Sequence, residues 1–151
     1  VRLIRTASAQ QFDRCAADLL CAQVLAQPGT QVALPTGRTP LGLYASLLGR
    51  TATELAALRR AHYVNLDEYL GLGPSDPRSY AHFLQRQVFG PLGIGASQLR
   101  LLRGDMPDAN AECAQFEDAL QAAGGIGVAV LGLGANGHIA FNEPGTPWNT
   151  R

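Results

Sequence analysis

Ile126-Gly-Val-Ala-Val-Leu-Gly-Leu133, running on into Gly134-Ala-Asn-Gly-His138 and Ile139-Ala-Phe-Asn-Glu-Pro144, is the stretch on which the fold turns. An apolar run breaks abruptly into glycines and then presents Asn136, His138, Asn142 and Glu143 within eight positions. A buried strand that ends in a polar, flexible turn is how an open α/β sheet builds a site at a strand's carboxyl end. The same pattern fits a plain βα-turn whose glycines only permit a tight bend. The rest of the chain has to decide between them.

Upstream, apolar runs alternate with helical patterns. Residues 1–5 alternate weakly, as an edge strand would. Ser8 and Gln11 resemble a capping box, and Phe12, Cys15, Ala16, Leu19, Leu20 and Val24 recur at helical spacing, predicting a helix to about Ala26 that Pro28-Gly29 stops. Residues 31–34 read as a short strand. Residues 41–48 read as a helix with Thr39 as N-cap and Pro40 in its first position. A second helical piece covers 54–60, and a strand over 62–66 delivers Asp67-Glu-Tyr69. The Gly and Pro density of 71–77 marks a loop. Residues 79–88 are helical, with Tyr80, Phe83 and Val88 as core positions, and 99–102 form a short extended segment. Asp108 caps a helix carrying Cys113, Phe116 and Leu120, and Gly124-Gly125 then lead into a central strand over 126–131. Strands separated by helices predict βαβ units: an open, doubly wound, mostly parallel α/β sheet with helices on both faces, Rossmann-like in layering.

Composition narrows the function. With 151 residues, 46% hydrophobic content and zero formal net charge, the chain suits one α/β domain over 1–151 and no general attraction to nucleic acid or anionic membrane. No apolar run is long enough to span a bilayer, and the first residues do not form a basic stretch followed by an apolar one. All 12 basic residues are Arg, which excludes internal Schiff-base catalysis and a P-loop lysine for this polypeptide. A phosphate must therefore be held by backbone N–H groups, hydroxyls and Arg. Cys15, Cys21 and Cys113 lack Cys-x-x-Cys spacing and read as reduced thiols of a cytoplasmic protein. The first residue is Val and the last is Arg151, so we expect a piece of a longer chain.

Three predicted strands each end in a loop with ligand-gripping residues: Thr36-Gly37-Arg38-Thr39, Asp67-Glu68, and 136–143. In a parallel sheet those ends share one edge, so the three loops converge on one crevice far more readily than chance would allow. The first loop, with small residues before a helix start, suits an anion. Alone it is equally a turn and cap with a solvated Arg38. Asp67 or Glu68 should face the crevice as a general base, although two solvated acids at a strand end is the blander reading. His138 and Glu143 suggest an imidazole–carboxylate pair. No histidine has metal-ligand spacing to another; His62 and His82 are explained by partial burial or surface positions, and no metal is expected.

Leu34-Pro-Thr-Gly-Arg-Thr-Pro40, Asn65-Leu-Asp-Glu-Tyr69 with Ser79-Tyr80, and Gly132-Leu-Gly-Ala-Asn-Gly-His-Ile-Ala-Phe-Asn-Glu-Pro-Gly145 resemble, in order and spacing, the glucosamine-6-phosphate deaminase family. The resemblance covers essentially the whole chain. The first two motifs are shared more loosely with 6-phosphogluconolactonases; Tyr69 and Asn142-Glu143-Pro144 favour the deaminases. The resemblance implies conversion of glucosamine 6-phosphate to fructose 6-phosphate and ammonia, without metal or organic cofactor. It makes Asp67 the base moving the C2 proton to C1, and His138 the group that opens the pyranose ring. Glu143, with Asn136, would tune that histidine, and Thr36, Gly37, Arg38 and Thr39 would hold the phosphate. Gly134 and Gly137 would let backbone and substrate approach closely.

Two departures stand out. The family often has Asp where this chain has Asn136, and Asn cannot stabilise an imidazolium by charge. The family chain is also about a hundred residues longer, so a C-terminal lid, further strands and further phosphate ligands are expected beyond Arg151. Lactone hydrolysis is the alternative enzyme reading. A non-catalytic sugar-phosphate sensor is the alternative from another class, but a sensor has no need of Asp67, His138 and Glu143 together. The partner is a small sugar phosphate, not a nucleic acid or a membrane, and a homo-oligomer is compatible with the sequence.

Overall fold

The computed structural model describes residues 2–147; Val1 and residues 148–151 lie outside that range. Strands β1 (Gln31–Leu34) and β2 (His62–Asn65) pair in parallel, with Val32 opposite Tyr63 and Leu34 opposite Asn65. All of β1 and the last three residues of β2 are buried, which is why both read as short apolar runs without alternation. β3 (Leu99–Arg100) adds outside β2 and β4 (Val128–Ala129) outside β1, so the parallel sheet runs β3-β2-β1-β4. Bonds of 3.0 Å from Gly127 N to Gln31 O and from Val130 N to Ala33 O extend the alignment of β4 one residue beyond each end.

Among the described residues six α-helices connect and cover these strands: α1 (Ala9–Ala26), α2 (Leu41–Leu48), α3 (Ala52–Leu58), α4 (Tyr80–Leu84), α5 (Gly90–Leu92) and α6 (Ala109–Ala122). A wide π-helical turn, Gln85–Phe89, joins α4 to α5 just before Pro91, whose missing N–H cannot continue an α-helical ladder. Residues of α1 to α5 gather with Val32, Leu34 and Tyr63 in one apolar cluster on a single face of the sheet. At its centre Tyr63 and Phe89 meet with ring centroids 5.5 Å apart.

The strand order reverses once. The chain steps outward from β1 to β2 to β3, then returns across β1 to β4. Parallel crossovers are right-handed, so the return through α6 belongs on the opposite face from α2–α5. In keeping with this, α6 contributes nothing to the cluster and contains no buried residue. The reversal lies between β1 and β4, and the crevice outside their carboxyl ends is the ligand position of such a sheet.

Several expectations are corrected. Residues 2–5 form no strand; they pair with nothing in the sheet, and Val1 lies outside the described residues. The stretch expected as the central strand is shortened to β4 and lies at the sheet edge, because the reversal puts β1 and β2 inside. In α1 the buried stripe is Ala17, Leu20, Cys21 and Val24, leaving Phe12 and Leu19 exposed, because α2 and α3 pack along that stripe. Ser8 caps α1 as expected, accepting from Gln11 N. Pro40, not Thr39, occupies the cap position of α2 and lends no side-chain bond. The helix expected over 54–60 begins earlier, with a capping box between Thr51 and Glu54. Tyr80 is half-buried against Tyr69, outside the core, and Cys113 is exposed. Among the described residues no helix is long and apolar enough to cross a membrane.

Candidate active site

The carboxyl ends of β1, β2 and β4 frame a cleft of about 550 Å³. Pro35, Thr36 and Thr39 line it from the loop after β1, Leu66 and Asp67 from the loop after β2, and residues 131–134, 138 and 140–142 from the loop after β4. The three loops singled out in the sequence therefore do converge on one crevice.

The paired acids after β2 separate cleanly. Asp67 turns into the cleft and is half-buried. Burial, and then the neighbouring Glu68 charge, push its carboxyl above the ordinary carboxylate value, which suits a group that must accept a proton. Glu68 turns the other way, onto the start of α4. Asn65, 2% exposed, fixes the turn between them: its amide donates to Asp67 O at 2.8 Å, and its Oδ1 accepts from Leu102 N at 2.9 Å. Gly104 closes the far side. A Cβ there would lie 1.9 Å from Tyr69 O, so only glycine lets the neighbouring loop pass. Sequence reading used Asn65 only as part of a motif and passed over Gly104. A polar residue at a buried strand end was the available signal for the first; nothing local marks the second.

After β4 the chain folds into a small knot. Gly134 N donates to His138 O at 2.8 Å, and Ile139 and Asn142 exchange backbone bonds of 3.0 and 2.9 Å. Gly137, with φ +91°, makes the Asn-Gly turn between Gly134 and His138. Gly134 seats the imidazole, since a Cβ at that position would lie 2.1 Å from His138 Cε1. Its role is to admit the ring.

The expected His138–Glu143 pair is indirect. His138 Nδ1 is 3.9 Å from Glu143 Oε1, and Asn136 stands between them. Asn136 Oδ1 lies 2.7 Å from His138 Nδ1, and its Nδ2 donates to Glu143 Oε2 at 2.7 Å. A carboxylate only accepts, so Glu143 holds the amide nitrogen of Asn136 towards itself and its oxygen towards the ring. By that pattern Nδ1 carries the proton and Nε2 keeps a free lone pair. The neutral Asn136 thus links the two groups.

The loop after β1 brings Thr36 and Thr39 into the cleft, but Gly37 and the exposed Arg38 do not line it. Neither do Gly137, Asn136 or Glu143; the last two reach the cleft only through His138. The Tyr44 hydroxyl of α2 donates to Pro35 O and anchors the loop. Whereas α1, α3, α4 and α6 have side-chain N-caps, α2 has none, and its first N–H, that of Leu41, turns back to Arg38 O at 3.4 Å. His62 and His82 lie outside the cleft. Among the described residues, no group of three or more His, Cys, Asp or Glu side chains is placed to hold a metal ion.

Fold and site together define an open α/β protein whose switch-point crevice holds a half-buried carboxylate, an imidazole and the hydroxyls of Thr36 and Thr39. The family described as glucosamine-6-phosphate isomerases/6-phosphogluconolactonase matches residues 5–150, and the chain belongs to it. It is 38% identical over 149 residues to the glucosamine-6-phosphate deaminase of Geobacillus sp. (strain WCH70), covering 99% of this chain and 59% of that one. It is 37% identical over 142 residues to glucosamine-6-phosphate deaminase 2 of Bacillus subtilis (strain 168), covering 94% and 57%. A solved structure described as a monomeric glucosamine-6-phosphate deaminase superposes with a TM-score of 0.91 at 32% identity, over 100% of this chain and 63% of that one. The 6-phosphogluconolactonase of Thermotoga maritima superposes at 0.71 with 20% identity, covering 93% and 62%, and shares the fold. The chain thus spans about three fifths of the length of these relatives.

Proposed function

We propose that this chain carries the central acid–base machinery of a glucosamine-6-phosphate deaminase, an enzyme that turns glucosamine 6-phosphate into fructose 6-phosphate and ammonia. The observation that carries the reading is Asp67 and His138 on opposite loops of one cleft, with Thr36 and Thr39 on its third side. His138, with Nε2 unencumbered, takes the proton of the anomeric C1 hydroxyl and delivers it to the pyranose ring oxygen, so that the C1–O5 bond breaks and C1 becomes an aldehyde. Asp67 then takes the proton from C2, made acidic by the adjacent C1 aldehyde, and returns it at C1. That leaves C2 as an iminium; water adds to it, and ammonia departs from the resulting carbinolamine to leave the C2 ketone of fructose 6-phosphate. Asn136 and Glu143 hold the imidazole. Thr36 and Thr39 hydroxyls, Gly37 and α2 backbone N–H groups and the Arg38 charge bind the phosphate, the last by a side-chain movement towards the cleft. Gly137 gives the substrate room beside the knot.

Support comes from the identity to deaminases over almost all of the chain, against a fold-only likeness to lactonases. Because those deaminases are longer, we propose that residues 1–151 are the larger, incomplete part of one α/β domain, with a lid, more strands and further phosphate ligands supplied by sequence beyond Arg151. The free thiols Cys15, Cys21 and Cys113 support a reducing, cytoplasmic setting. The homo-oligomer compatible with the sequence runs against the solved deaminase described as monomeric.

The test is ammonia release from glucosamine 6-phosphate by the full-length protein, with Asp67→Asn and His138→Gln as controls. Full activity in both variants overturns the assignment. Turnover of 6-phosphogluconolactone without the amino sugar assigns it to the sister activity, and binding without turnover makes it a sensor.

A further inference from the structure

Glu68 has no place in the chemistry above, yet its carboxylate is held by three backbone N–H groups. Its Oε1 accepts from Tyr69 N and Tyr80 N, and its Oε2 from Ala81 N, each at 2.9 Å. The first of these donors belongs to the loop that carries Asp67; the other two are the opening N–H groups of α4, which Ser79 caps through His82 N. One carboxylate thus bolts the loop to the helix start. Its hold also registers two aromatic rings. Tyr69 and Tyr80 lie with centroids 4.6 Å apart, and the Tyr80 hydroxyl donates to that of Tyr69 at 2.8 Å.

We propose that Glu68 is the positioning residue of this site: by clamping the Asp67 loop to α4 it sets where the Asp67 carboxylate points, and it stands as a fixed negative charge beside it. This rests on the deaminase reading for what Asp67 does, though not for how Asp67 is held. A solvated acid at a strand end would not have three backbone donors. Two further facts agree. The Glu68 charge is second only to burial among the causes that raise the Asp67 carboxyl. The Tyr80 phenol, raised to about 12 first by its bond to Tyr69 and then by burial and the Asp67 charge, lies close enough to feel that carboxylate. Among the described residues, the titratable groups near Asp67 are thus Glu68 on its own loop, Tyr80 from α4, and His138 lining the same cleft.

Two substitutions in the full-length protein separate the clamp from the charge. Glu68→Gln removes the charge and keeps one acceptor oxygen. The acid limb of its kcat/KM profile should move to lower pH, because Asp67 retains burial but loses its like-charged neighbour. Glu68→Asp keeps the charge but withdraws it by one methylene. Here kcat should fall roughly 10²-fold with KM little changed, the penalty for displacing a catalytic group by about 1 Å. An unmoved acid limb in Glu68→Gln, or wild-type kcat in Glu68→Asp, overturns the proposal, and the second variant decides should the first not fold. If the wild-type protein releases no ammonia, the deaminase reading fails by itself. The ¹³C-carboxyl titration of Asp67 then still tests the clamp: a lower midpoint in Glu68→Gln supports it, and an unchanged one sinks it.

Discussion

The Nδ1 of His138 lies 2.7 Å from the Oδ1 of Asn136, an acceptor that assigns the ring proton to Nδ1 once Glu143 has oriented the amide. Asn136 is itself turned by Glu143, so an acid two bonds away orients the imidazole without touching it. Asn136→Ala should release the ring, lowering kcat roughly 10²-fold. The ¹⁵N shifts of His138 should then report a mixture of tautomers in place of one. Asn136→Asp restores an acceptor at the same point and should recover most of the rate. Equal tautomer populations in wild type and Asn136→Ala would remove the relay.

Asp67 should trade stability for function. Its carboxyl is raised in the folded protein, first by burial and then by Glu68. A raised carboxyl favours the folded state below its unfolded value near pH 4, and that contribution is lost as pH rises through the folded value. At neutral pH the ionised Asp67 therefore works against folding. Asp67→Asn should lower kcat by about 10²- to 10⁴-fold, the usual worth of a general base. The same variant should melt higher than wild type at pH 7, with the difference shrinking in acid. A lower melting temperature at pH 7 would contradict this sign.

Asn65 ties the chemistry to the core. It is 2% exposed and bonds both Asp67 O and Leu102 N. Asn65→Leu leaves two main-chain groups without partners, a cost of about 2–4 kcal/mol by the usual penalty for such groups. Urea unfolding should show that loss, and the surviving folded protein should have a reduced kcat because the Asp67 turn is no longer held.

Among the described residues β4 is paired on one side only, and Leu133 and Phe141 beside it are 75% and 81% exposed. An open edge next to exposed apolar side chains is a template for self-association. Expressed alone, the 151-residue chain should associate with rising concentration in light scattering and bind a hydrophobic dye. A monodisperse monomer that binds no dye would refute this.

The inner strands were legible because residues buried on both faces leave a continuous apolar run, as in β1. The helix starts at Ser8 and Asp108 were legible because their side-chain oxygens do the capping. The α1 face was misjudged at Phe12 and Leu19, since helical spacing leaves several stripes open and only the packing of α2 and α3 selects one. The strand over 126–131 was found but misplaced, because order within a sheet depends on which side of β1 the chain returns.

For the site, sequence alone determined the ingredients: three strand ends carrying Thr36 and Thr39, Asp67 and Glu68, and Asn136 to Glu143, in a chain without Lys. Local patterns suffice there, because strand ends and glycine turns are dictated by residues close in sequence. Only the tertiary structure decided which acid enters the cleft and which one clamps α4. It also put Asn136 between His138 and Glu143, and left Arg38 outside the cleft lining. Those outcomes depend on the direction of individual side chains, which is set by partners such as Ala81 N and Leu102 N that are distant along the chain.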